Sequence, residues 1–156
     1  FVGVSVALLF FAFGLTYPLQ SRVSGDALEY LRIADSLSSW NAIANYAGAR
    51  TIGFPLFERG AYEIVALFGE PVFVLPWINF VGLVLLTVHI SASWMFATWA
   101  QRTGTIKKNS ARRFMFLMLA TFPVLIGHTA TPMTDTFCVD LVLIGLFAYN
   151  LSFRVE

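Results

Sequence analysis

A chain of 156 residues with 58% hydrophobic and 12% charged residues lies outside the balance of soluble domains. Its net charge of +1 leaves no excess of cations to neutralise a phosphate backbone, which excludes nucleic acid as a partner. The single cysteine, Cys138, excludes an intrachain disulfide, and within its apolar run it is expected to be a small buried residue.

The first apolar segment runs from Phe1 to about Leu19 and carries no charge. No small-residue cleavage pattern follows it, so it reads as a membrane span and not a signal peptide. The loop 20–70 comes next, with Arg22, Arg32, Arg50 and Arg59 set against Asp26, Glu29, Asp35, Glu58, Glu63 and Glu70. Within it, helical spacing predicts an amphipathic surface helix over 26–37, with Ala27, Tyr30, Leu31, Ala34 and Leu37 on its apolar side. A second is predicted over 55–68, with Pro55 in its first turn and Phe57, Ala61, Ile64, Val65 and Phe68 as its apolar side. Residues 41–53 read as a loop, broken by Asn45, Gly48 and Gly53.

The second apolar segment, 71–100, exceeds the ~20 residues that a crossing needs and implies tilt or an extension beyond the lipid. His89, beside Ser91 and Ser93, is expected to hydrogen-bond a neighbouring helix. A third segment, 114–129, is barely long enough to cross. The fourth, 136–153, carries Asp140, an acid that must be protonated, paired or part of a cavity at that depth. The expected fold is therefore all-α integral membrane: one region over 1–156, with four transmembrane helices and two amphipathic surface helices in the first external loop.

Orientation follows from the loops. Residues 101–113 hold Arg102, Lys107, Lys108, Arg112 and Arg113 and no acid, which assigns that face to the cytoplasm. The loop 20–70 then lies on the periplasmic or lumenal face of a bacterial inner membrane or an ER-type membrane. Residues 131–136 return to the same face. Asp26 and Asp135 become neighbours in depth, with carboxylates expected within about 10 Å. Two acids at one end of an apolar bundle point towards chemistry more than packing. Each also has a structural reading: Asp26 with Glu29 fits a capping box, and Asp135 can cap the fourth span. Arg50 can pair with a loop acid or a lipid phosphate, and His128 fits an interfacial polar residue.

The order of motifs resembles the integral-membrane glycosyltransferases of the C superfamily, in the branch of protein mannosyltransferases and aminoarabinose transferases. The resemblance rests on Asp26 and Tyr30 opening the external loop, then Arg50, Gly53-Phe54-Pro55-Leu56-Phe57, Leu67-Phe68-Gly69, the basic Arg112-Arg113 turn and Thr134-Asp135. Such enzymes have more spans than this chain, so it looks like the amino-terminal part of a longer one. The resemblance implies transfer of a sugar from a polyprenyl-phosphate carrier to an acceptor on the non-cytoplasmic face. Asp26 would take the acceptor proton and Asp135 would orient the acceptor or hold a cation. Arg50, Tyr30 and His128 would bind substrate, Arg50 by two-point contact with phosphate.

Two histidines and one cysteine cannot build a zinc site from this chain, although its carboxylates could hold a hard divalent cation. No phosphate-cradling glycine loop or nucleophile elbow is present. The alternative function is a non-catalytic membrane subunit that scaffolds a larger complex, docking membrane protein partners on its surface helices. No Gly/Pro-broken helix pair marks a transporter.

Overall fold

The computed structural model describes residues 2–23, 25–48, 50–69, 72–122 and 134–152; the side chains at 20, 134–136 and 150–152 are not among those described. All regular structure in these residues is helical. The elements are α1 (Val2–Leu15), α2 (Leu19–Arg22), α3 (Asp26–Ser36), α4 (Trp40–Ala44), α5 (Gly53–Ala66), α6 (Val74–Arg102), α7 (Asn109–Ala120) and α8 (Thr134–Ser152).

Helix α6 is the axis, and α1, α5, α7 and α8 all lie against it. Its 29 residues span roughly 44 Å at the usual rise, more than the hydrocarbon thickness of a bilayer. It is the one described helix long and apolar enough to cross a membrane. Its buried positions change character along its length. Trp77, Ile78, Val81 and Leu85 pack with α3 and α5, whereas Ala92, Ser93, Ala97 and Ala100 further on are small. Small residues let neighbouring backbones come close.

Helix length therefore supports one crossing among the described residues and not four. Helix α1 has 14 residues, about 21 Å, because Thr16-Tyr17-Pro18 interrupts the apolar run. Its covered residues, Gly3, Ala7 and Phe11, form a single stripe at four-residue spacing. Helix α7 starts earlier than expected, at Asn109, and its 12 residues end at Ala120; residues 123–133, including the end of the expected third segment, lie outside the described ones. Helix α8 has 19 residues, but its continuous apolar part is Phe137–Tyr149.

The two amphipathic helices form where the spacing put them, with different outcomes. Helix α3 buries Ala27, Tyr30, Leu31 and Ala34, and Leu37 behind it, as its periodicity implies. Helix α5 begins at Gly53 and buries Phe54, Pro55, Glu58 and Ala61. Its covered face is turned from the expected one, leaving Ile64 and Phe68 exposed. The spacing 54, 58, 61 is as helical as 57, 61, 64, and the edge-on packing of Phe54 on Tyr30 of α3 favours the first. Residues 41–53 are not all loop, because Ser39 accepts a hydrogen bond from the Ala42 backbone N–H and caps α4. Cys138 is exposed, contrary to expectation. The α6 side of α8 follows Phe137, Asp140, Ile144 and Phe147, and Cys138 falls beside that line.

Candidate active site

Helix α3 begins at Asp26, preceded by Gly25 at φ 56°, and no side chain caps its first turn. The capping-box reading of Asp26 and Glu29 is thereby overturned. Glycine takes the left-handed backbone that turns the chain into the helix, which leaves both carboxylates free for another partner. That partner is Arg50. Its guanidinium donates to Asp26 Oδ1 at 2.5 Å, and to Glu29 Oε2 from Nη2 at 3.1 Å and from Nε at 3.2 Å. The Tyr46 hydroxyl donates to the Arg50 carbonyl at 3.1 Å and steadies the loop that delivers this residue.

Beneath the cluster lies an aromatic floor. The Arg50 guanidinium carbon stands 5.7 Å from the centre of the Tyr30 ring, and Tyr30 meets Phe54 edge-on at 5.5 Å. Phe54 and Phe57 in turn contact Phe137 of α8, with ring centres 5.7 and 5.3 Å away. Phe137 stands two residues past Asp135, so the first turn of α8 abuts the same aromatic group that supports Asp26 and Arg50. Asp135 opens α8, but its side chain lies outside the described residues, as does His128 entirely. The structure thus brings Asp26, Tyr30 and Arg50 together. Tyr30 is a buried member of the floor, 7% exposed.

The electrostatics are those of two acids sharing one cation. The hydrogen bonds that Arg50 donates to Glu29, then the charges of Asp26 and Glu29, raise the Arg50 pKa above its ordinary value. The cluster is open to solvent, with about half of the Asp26 and Glu29 side chains accessible, so the pairing is screened and easily exchanged. Among the described residues no group of three or more His, Cys, Asp or Glu side chains is arranged to hold a metal ion.

Two polar features sit deeper. Glu58, on the covered face of α5, is fully buried, and neither carboxylate oxygen has a hydrogen-bond partner among the described residues. Its backbone carbonyl accepts from Trp77 Nε1 at 2.8 Å, which fastens α5 to α6. Burial pushes the Glu58 carboxyl up to about 8. Sequence reasoning placed Glu58 only among the loop charges; the signal available was its four-residue spacing from Phe54.

The second feature is His89, fully buried on α6, whose Nδ1 lies 2.9 Å from Asp140 Oδ1 and whose Nε2 lies 3.1 Å from the Leu119 carbonyl oxygen. A carbonyl only accepts, so Nε2 carries a proton. One further proton lies between Nδ1 and Oδ1, and with it the pair is neutral overall whichever atom holds it. The expected contact of His89 with a neighbouring helix is present, and Asp140 is paired. No protein-family model, curated protein or solved structure matches this chain.

Proposed function

We propose that this chain is the acid-bearing part of a membrane glycosyltransferase of the C-superfamily type, acting on a polyprenyl-phosphate sugar at the end of the bundle that carries α3 and α5. In this reading all four apolar segments lie within the bilayer, and the loop with Asp26 faces the periplasm or lumen. The observation that carries the proposal is the 2.5 Å contact between Asp26 and Arg50, 24 residues apart in sequence. It joins the acid and the cation that such a transfer needs, on an aromatic floor that also touches the helix of Asp135.

Arg50 serves in two states. Without donor, it is held by Asp26 and Glu29. A lipid-linked phosphate offers the guanidinium two oxygens in matching geometry and competes with the carboxylates for it. Arg50 then neutralises charge on the leaving phosphate, and Asp26, released from its partner, is free to face the acceptor. The acceptor hydroxyl or amine attacks the anomeric carbon, the bond from that carbon to the phosphate oxygen breaks, and polyprenyl phosphate leaves with the electron pair. Asp26 takes the acceptor proton. Asp135 and His128 supply the remaining acceptor contacts, and a divalent cation can share the Asp135 carboxylate.

Replacement Asp26→Asn in the full-length protein tests the role of Asp26. Asn keeps the shape of Asp and a weaker bond to Arg50, but it cannot accept a proton. Transfer from a polyprenyl-phosphate sugar should fall about 10²–10⁴-fold with folding unchanged. Undiminished turnover in the Asn variant removes Asp26 from the chemistry. The cluster is then a surface tie between α3 and the following loop, whereas absence of transfer in the unaltered full-length protein is the outcome that favours a non-catalytic subunit.

A further inference from the structure

At the opposite end of α6 from the acid cluster, α1, α6 and α7 leave a cleft of about 580 Å³. Its walls are Val2 and Gly3 of α1, Trp94 of α6, and Phe114, Phe116 and Leu117 of α7, with Arg113 as its cation. The surroundings are basic: Lys107, Lys108, Arg112 and Arg113 lie within 101–113, and no acid occurs in the sequence between Glu70 and Asp135. Helix α7 adds to this, because a helix N-terminus is electropositive and favours acids, yet its second turn carries Arg112 and Arg113. Arg112 lies over the Trp94 ring at 4.9 Å, and its buried Nε has no hydrogen-bond partner among the described residues. Positive charge is thus concentrated beside an apolar groove.

We propose that this cleft binds one anionic phospholipid, with its phosphate at Arg113 and an acyl chain along Val2, Gly3, Phe116 and Leu117. Charge complementarity selects the headgroup, because juxtamembrane cations attract anionic lipid while neutral lipid gains nothing from them. The apolar walls select a lipid over a free phosphate, which would leave Phe114, Phe116 and Leu117 uncovered. The close approach of Gly3 shapes the groove: a Cβ there would stand 3.0 Å from the Phe116 ring, so a larger residue would press on the wall that the chain follows.

The test uses the full-length protein in neutral detergent, incubated with equal amounts of phosphatidylglycerol and phosphatidylcholine, with retained lipid counted by native mass spectrometry. Phosphatidylglycerol should be retained preferentially. Arg113→Gln should cut that retention about fivefold, the effect of one basic residue at a lipid surface, while Arg113→Lys should restore most of it. Lys108→Gln, which removes a charge from the same loop but not from the cleft, should change retention little. Equal retention of the two lipids, or equal losses in the Lys108 and Arg113 variants, overturns the proposal in favour of diffuse attraction. Displacement of the lipid by inorganic phosphate alone overturns it in favour of an anion site. Absence of any retained phosphatidylglycerol likewise overturns it.

Discussion

Glu58 shows how much one residue can demand of its surroundings. A fully buried carboxylate with no hydrogen-bond partner among the described residues is costly when ionised, so burial pushes its pKa from the usual 4.5 up to about 8. The folded state therefore binds more protons than the unfolded chain across that interval. Unfolding free energy falls as pH rises through it, by roughly 4–5 kcal/mol at most for a shift of this size. The melting temperature should decline from about pH 5 to about pH 9, and Glu58→Gln, which supplies a neutral side chain of the same shape, should flatten the decline. An unchanged slope in the Gln variant would show that Glu58 finds a compensating charge. Arg50 behaves in the opposite way at the surface: its partners are half-exposed, and the contact is built for exchange more than for stability.

Among the elements, the tie between α6, α7 and α8 rests on His89. Its two ring nitrogens reach Asp140 on α8 and the Leu119 carbonyl near the end of α7, so one side chain sets the position of both neighbours. Asp140→Asn retains a donor for Nδ1 and should be tolerated. Asp140→Ala leaves a buried ring nitrogen unsatisfied and should cost about 1–3 kcal/mol, read as a lower midpoint in a denaturant titration. A silent Ala variant would mean that the α6–α8 contact depends on apolar packing alone. The elements also show where sequence was informative. The apolar side of α3 and the course of α6 follow from spacing and length. The turned face of α5 does not, because a buried acid lies where periodicity places a polar residue. Nor does the contact of Asp26 with Arg50, since capping and pairing draw on the same carboxylate and only the loop geometry chooses between them. The exposure of Cys138 depends on which side of α8 meets α6, and a uniformly apolar segment carries little sign of that.

On the scale of the whole molecule, apolar side chains face outward at both flanks: Val2, Leu8, Leu9, Phe10 and Phe13 on α1, and Val139, Leu141, Val142 and Leu146 on α8. Surfaces of that extent need lipid, detergent or another polypeptide. The basic stretch 101–113 and the mixed loop 20–70 lie at opposite ends of α6, so a single crossing by that helix separates them. In a Cys138→Ala background, a membrane-impermeant thiol reagent applied from the non-cytoplasmic side should label a cysteine at Ser39 and spare one at Ser110. The reverse pattern would place the acid cluster in the cytoplasm and exclude it from lipid-linked-sugar transfer.

The burial of Glu58 against α6 also has a consequence for the order of synthesis. Helices α3 and α5 leave the ribosome before the residues that cover them, Trp77, Ile78 and Val81, have been made. Until α6 arrives, the Glu58 carboxyl stands in water and is ionised at neutral pH. Docking of α5 onto α6 therefore takes up a proton, and the Trp77 indole closes on the Glu58 carbonyl in the same event. Assembly of α3 and α5 on α6 is for this reason coupled to protonation, and a more alkaline medium would disfavour its completion.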